Sequence, residues 1–306
     1  MNTLALAALT LLVPVFASAS DTPAAGQAKP RAKAQPVYTL YAAGDIADCA
    51  KKPALQTAAA QTANLIAAAL EKDPQAFAVT LGDNTYPVGA PSEFTECYEP
   101  TWGRFKERTL PSPGNHDYGQ PKALGYYNYF GELAGPDRRG YYSKKLGNWT
   151  LYSLNSQLSG NAMQTQLQWL KEELQKNKSR CTLAFWHHPA YSSGGHGNNK
   201  QMWPAWKLLA DAGADIVLAS HDHDYERFVP MNAQGEADER KGIRSFVVGT
   251  GGAKLTPMFF PKATTEIRDN NNHGVLKLVL QENSYSWEFL SIPGDNLRDS
   301  GNGSCH

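Results

Sequence analysis

The sequence predicts an α/β domain in which two β-sheets pack together, and three observations support that reading. Strand-like apolar runs alternate with helical stretches from residue 37 onward. The first two of these strands enclose a helix, and each stops at a Gly-Asp pair, Gly44-Asp45 and Gly82-Asp83. After residue 240, three more apolar runs read as antiparallel strands that complete a second sheet on the first. At 306 residues the chain has room for one large domain or two small ones. Polar motifs spread over most of its length favour one, spanning 37–306.

Residues 37–43 (VYTLYAA) alternate as a strand. The alanine-rich stretch 54–72 reads as a helix, with Pro53 suited to its first turn and Asp73-Pro74 to its end. Residues 76–81 (AFAVTL) make the second strand, so this is a βαβ unit with an acid at the carboxyl end of each strand, where ligands sit in open α/β sheets. Between 91 and 140 the chain is rich in turns and aromatic residues, among them Trp102, Tyr126, Tyr127, Tyr129 and Phe130. We read these rings as packing under a long loop in preference to a specificity pocket. Strands follow at 141–146 and 149–154, then a helix over 163–177 with Leu167, Leu170 and Leu174 on one face. Strand 181–186 (CTLAFW) runs into His187, a helix covers 203–211, and strand 215–219 (DIVLA) runs into Ser220-His221. The runs 243–248, 274–280 and 285–290 supply the late antiparallel strands.

The amino terminus has a different character. Residues 4–16 (LALAALTLLVPVF) precede Ala17-Ser18-Ala19, a small-x-small cleavage pattern, and predict a signal peptide over 1–19. The stretch is too short to span a bilayer comfortably and contains Pro14. Residues 20–36, rich in Ala, Pro, Lys and Gln, cannot bury enough apolar surface to offset ordering entropy and read as a disordered leader. A secreted or periplasmic location follows, and an even count of four cysteines, Cys49, Cys97, Cys181 and Cys305, then favours disulfides. Three pairings are open; Cys49–Cys97 with Cys181–Cys305 is preferred, and would clip two loops together and tether the chain end. Lys plus Arg (29) equals Asp plus Glu (29), so no global field draws the chain to nucleic acid or to a membrane surface.

Five polar motifs sit at the ends of the apolar runs: GDIADC (44–49), GDNTYP (82–87), GNHD (114–117), WHHPAY (186–191) and SHDHDYER (220–227). Together they supply enough carboxylate, phenol, amide and imidazole groups to hold two metal ions, the arrangement that activates water and relieves charge in phosphate-ester hydrolysis. Asp45 and Asp83 end strands, so their carboxylates converge at a sheet edge; either alone could simply cap a turn. Tyr86 follows Asp83 closely enough to reach the same ion, and a phenolate favours a trivalent ion such as Fe(III) over zinc. Asn115 offers an amide oxygen, while His116 faces the phosphate. Neighbours in an extended chain point to opposite sides, so one of His187 and His188 reaches the metal, and His187 is chosen. His196 lies in the glycine-rich SSGGHG loop, free to approach a substrate. His221 and His223, one residue apart, send both rings to the same side of an extended segment, with Asp222 or Asp224 available to orient an imidazole.

In this order the motifs resemble those of the calcineurin-like metallophosphoesterases, and among them the purple acid phosphatases, whose pattern runs GDxx, GDxxY, GNHD or GNHE, HxP and GHxH. GDIADC, the YERF segment and the Cys-His end look like a secreted bacterial subgroup. The resemblance covers the whole of 37–306 and implies a four-layer α-β-β-α sandwich, two mixed β-sheets flanked by helices. It implies one metal held by Asp45, Asp83, Tyr86 and His223 and a second held by Asp83, Asn115, His187 and His221, with Asp83 as the bridge. It assigns phosphate contact to His116 and His196, and protonation of the leaving alcohol to His196. Ser220 departs from the pattern, standing where glycine usually precedes the HxH pair.

The expected activity is hydrolysis of small phosphate monoesters by a metal-bound hydroxide, with two metal ions as cofactors, Fe(III) plus a divalent Fe, Zn or Mn. Two alternatives stand beside it. A phosphodiesterase or nucleotidase would use the same centre, with nucleotides then the only nucleic-acid-like partners, and a metal- or phosphate-binding protein would need no acid-base histidines.

Overall fold

The computed structural model describes residues 36–306, together with residues 1, 3, 5 and 8–14. The predicted signal peptide and leader fall largely outside the described residues. Among the described residues no helix is long and apolar enough to cross a membrane.

Among the described residues, thirteen strands form two mixed sheets. The first holds β1 (Tyr38–Ala43), β2 (Phe77–Leu81), β3 (Thr109–Ser112), β11 (Gly274–Leu280), β12 (Ser284–Ser291) and β13 (Ser300–Ser304), in the order β13-β12-β11-β1-β2-β3. The second holds β4 (Tyr142–Leu146), β5 (Trp149–Ser153), β6 (Cys181–Phe185), β7 (Ile216–Ala219), β8 (Tyr225–Phe228), β9 (Arg244–Val248) and β10 (Thr265–Asp269), in the order β10-β8-β9-β7-β6-β5-β4. Strands β1, β2 and β3 run parallel, as do β5, β6, β7 and β9, while the outer strands are antiparallel.

Side-chain alternation explains the layering. In the second sheet Leu183, Phe185, Ile216, Leu218, Phe246 and Val248 join the core that includes Leu40, Val79 and Leu276 of the first sheet. Their neighbours Ala184, Trp186, Val217 and Val247 face a separate cluster with Met163, Leu170, Trp206 and Leu209. A period of two thus gives each strand one face for the opposite sheet and one for the helices. Those helices are α4 (Gly160–Lys176) and α5 (Trp203–Asp211). Ala59, Ala63, Ile66 and Leu70 of α1 (Ala58–Lys72) join the first-sheet core. The short α2 (Pro91–Glu93) and α3 (Leu124–Phe130) lie in the turn-rich region, where Tyr126, Tyr127 and Phe130 are buried, so those rings pack as read.

Three expectations need correction. The late runs do not make one sheet: β9 lies beside β7 in the second sheet, whereas β11 and β12 extend the first beyond β1. The α-helix begins at Ala58, not residue 54, because the Thr57 side chain accepts from Ala60 N and caps it. Strands β3, β8, β10 and β13 are absent from the sequence reading. Both preferred disulfides are present, Cys49–Cys97 and Cys181–Cys305.

Candidate metal centre

The parallel strands of both sheets deliver the site. Asp45 follows β1, Asp83 follows β2, Asn115 lies beyond β3, His187 beyond β6 and His221 beyond β7. Asp45, Asp83 and His221 have φ of 58°, 49° and 73°, a left-handed conformation that costs a residue with a side chain energy and that concentrates at functional sites. The turn is also crowded: a Cβ on Gly44 would lie 2.2 Å from Ser220 Oγ, so only glycine lets the two sheets approach here.

Two groups of donor atoms result, and Asp83 belongs to both. In the first, Tyr86 Oη lies 2.9 Å from Asp45 Oδ1, 3.3 Å from Asp83 Oδ2 and 3.1 Å from His223 Nε2, with His223 Nε2 3.2 Å from Asp45 Oδ1. In the second, His187 Nε2 lies 3.3 Å from Asp83 Oδ2, 3.0 Å from Asn115 Oδ1 and 3.1 Å from His221 Nδ1. The remaining atoms of these side chains are occupied in ways that aim the donors inward. His116 N donates to Asp83 Oδ1 (2.8 Å) and His221 N to Asp45 Oδ2 (2.9 Å). His187 Nδ1 donates to Leu81 O (2.9 Å) and His223 Nδ1 to Lys254 O (2.8 Å), which fixes the tautomer and leaves each Nε2 lone pair facing the centre.

That arrangement calls for positive charge. Around His187 Nε2 stand a carboxylate oxygen, an amide oxygen and a second imidazole nitrogen, a set that neutral imidazoles can supply with at most one proton. Only an added proton or a cation satisfies it. In the bare protein a proton does so: burial pushes His187 down, but Asp83 and then Asp45 outweigh it and hold it up at about 9. His223 likewise stands at about 9, burial being overcome by Asp45. Burial, then the charge on His187, drops His221 to about 2. Burial and then the Asp45 and Asp83 carboxylates push the Tyr86 phenol well above its ordinary value. The hard oxygen and imidazole donors fit two metal ions, with Asp45, Asp83, Tyr86 and His223 round one and Asp83, Asn115, His187 and His221 round the other.

The two histidines expected to meet substrate flank this centre. His196 is tied to Asp222 Oδ1 through its backbone N (2.7 Å) and Nδ1 (3.0 Å), and its ring lies 4.3 Å from that of His221. His116 donates from Nδ1 to Pro87 O (2.5 Å), and its ring lies 4.4 Å from Tyr86.

Two details of the sequence reading change. His187 and His188 do not point apart, because β6 ends at Phe185 and both lie in bends; the His188 ring sits 4.1 Å from His221, its Nδ1 accepting from Ser156 Oγ and Gln157 Nε2. His221 and His223 lie in bends too, so their rings serve different donor groups instead of one side of a strand.

Two positioning residues escaped sequence reasoning. Asp117 accepts from Gly114 N (2.8 Å) and Asn84 Nδ2 (2.9 Å), joining the GNHD and GDNTYP turns. Ser220 Oγ donates to Leu81 O (2.6 Å) and lies 3.0 Å from His187 Nδ1, so the departure at this position gives His187 a further partner. The one sequence signal for the former was the Asp three residues beyond Gly114 in the GNHD motif.

Comparison with known proteins shows the family and the fold. A family model described as calcineurin-like phosphoesterase matches residues 30–225. Purple acid phosphatase 23 of Arabidopsis thaliana is 29% identical over 52% of this chain and 43% of its own length. Human acid phosphatase type 7 is 26% identical over 63% of this chain and 50% of its own. The chain therefore spans half or less of these relatives. Among solved structures, the yellow lupin purple acid phosphatase PPD1 superimposes with a TM-score of 0.68 at 19% identity, covering 88% of this chain and 54% of that one. GAP50, described as the anchor in the inner membrane complex of Plasmodium, also reaches 0.68, at 15% identity over 88% and 89%.

Proposed function

This chain belongs to the calcineurin-like phosphoesterase family, and from that premise we propose that it is a dimetal phosphomonoesterase of the purple acid phosphatase type, acting outside the cytoplasm. One observation supports this above the rest: seven side chains from both sheets converge in two donor groups that share Asp83. Fold alone could not decide, since a protein described as an anchor has the same fold, so the argument rests on the site. The two disulfides fit an oxidising compartment.

When bound, the two ions would supply a water nucleophile at neutral pH and relieve charge on the phosphoryl oxygens. The chain does the rest. His116, half-buried beside Tyr86 and anchored to Pro87 O, would hold a phosphoryl oxygen. His196 keeps Nδ1 on Asp222, which leaves Nε2 to hold the proton that the departing alkoxide takes. Tyr86 favours a strongly acidic ion, because its buried phenol ionises only against such a charge, and this supports Fe(III) on the Asp45 side with divalent Fe, Zn or Mn on the other.

The test combines elemental analysis, a visible spectrum and turnover of aryl monoesters, aryl diesters and nucleotides. The reading expects monoesters to be turned over fastest and a tyrosinate-to-iron band that Tyr86→Phe abolishes. Preference for diesters or nucleotides would reassign the substrate, and a metal-loaded chain inert to every ester would make it a binding protein.

A further inference from the structure

We propose that Phe259 and Phe260 form a leaving-group subsite that selects phosphomonoesters of aromatic or bulky apolar alcohols, an inference that rests on the hydrolase reading above. Phe259 is 63% and Phe260 91% exposed, although burying such a side chain is favourable. Two adjacent phenyl rings held in water on one loop need a reason that a single exposed apolar residue does not.

The loop between β9 and β10 is not loosely hung. Lys254 O accepts from His223 Nδ1 (2.8 Å), and Thr256 N donates to His223 O (3.1 Å). Asn270 Nδ2 donates to Thr256 O (3.0 Å), and Arg268 donates to Phe259 O. At its far end Lys262 N donates to Ser193 Oγ (3.0 Å), which itself donates to the buried Glu226 (2.5 Å). The loop therefore bridges a residue of the metal centre, His223, and the segment that presents His196. Between these anchors, the Phe259 ring edge lies 3.8 Å from the point a Cβ on Gly195 would occupy, against the residue that precedes His196. The ester oxygen that takes a proton from His196 carries the alcohol, which in this proposal lies beside the Gly195-His196 segment, where Phe259 packs and Phe260 follows it in the chain. An aromatic or bulky apolar group would cover them there; glycerol or another small polar alcohol would not.

The experiment uses the full metal-loaded chain and the Phe259→Ala/Phe260→Ala double variant. For each, kcat/KM is measured with 1-naphthyl phosphate and with glycerol phosphate, and the ratio of the two is compared between proteins, so that intrinsic ester reactivity cancels. The ratio should fall about tenfold in the variant. Phenylphosphonate and methylphosphonate, which cannot be hydrolysed, are titrated in parallel, and the preference for the phenyl compound should fall likewise. An unchanged ratio with an unchanged phosphonate preference overturns the subsite; if the variant also loses binding to phosphatidylcholine/phosphatidylserine vesicles, the rings belong to membrane docking instead. A wild-type chain inert to all esters that still prefers phenylphosphonate would sink the hydrolase reading alone and leave the subsite standing.

Discussion

His187 and His223 are each pinned through Nδ1, to Leu81 O and Lys254 O, so protons and cations compete for the same Nε2 lone pairs. Burial lowers both rings, but the neighbouring carboxylates prevail and set both near 9 in the bare protein. A cation must displace those protons, so its apparent affinity should climb as pH rises toward 9 and level off above. The stability sign runs the other way. Both folded values lie above the unfolded value of about 6.5, so the bare protein's histidine-carboxylate pairs stabilise it fully below about 6.5 and that contribution is lost as pH rises through about 9. Calorimetric metal titrations and unfolding of the metal-free chain across this range check both signs; a metal affinity that stays flat would contradict the lone-pair geometry. At this scale the donors themselves were legible, because carboxylate, phenol and imidazole types at strand ends name a chemistry. Their supports were not: Ser220 meets Leu81 across 139 positions and Asn84 meets Asp117 across 33, contacts that only the fold creates.

The loop 192–197 shows how an element serves the site. Ser192 Oγ donates to Asp222 Oδ2 (2.5 Å), Ser193 N to Glu226 Oε2 (2.7 Å), and His196 holds Asp222 Oδ1 by two bonds, so buried carboxylates fasten a glycine-rich stretch that could otherwise not aim an imidazole. Asp222→Asn should lower kcat with little change in KM, by on the order of a hundredfold on an alkyl phosphate, whose leaving oxygen needs a proton, and far less on 4-nitrophenyl phosphate. An equal loss on both would show that Asp222 serves only the fold. Among the strands, those with apolar alternation were readable. β13 was not, since its sequence is Ser-Gly-Asn-Gly-Ser; it is a strand because Gly301 and Gly303 let the Trp287 and Tyr285 rings of β12 lie over its backbone, where a Cβ would come within 2.4 and 2.5 Å of them. β10, TEIRD, is half exposed along its length and gives no apolar signal. β8 starts immediately after the His-Asp-His-Asp bends, and a motif read for its chemistry hid a strand.

Across the whole molecule, the first sheet presents Asp45, Asp83, Tyr86 and Asn115, the second presents His187, His221 and His223, and the centre lies where the two meet. The assignment of strands to sheets could not be read from the sequence, because β9, β11 and β12 have similar apolar patterns and only packing sends them to different sheets. Cystines brace the same body, Cys181–Cys305 closing a loop of 124 positions and fastening the chain end to β6. Replacing both with serine should cost about 2–5 kcal/mol, seen as a lower denaturation midpoint, since an uncrosslinked unfolded chain gains that loop entropy. A midpoint equal to that of the intact chain would mean that other contacts, such as Asp215 with His306, already hold the terminus. What most directly decides whether Asp83 is shared between two cations is to count them. Elemental analysis of the loaded, desalted chain should find two metal ions per molecule, and Asp83→Ala fewer than one with the fold intact by circular dichroism; an active wild-type chain holding a single ion, or an Asp83→Ala chain that keeps both, would contradict it.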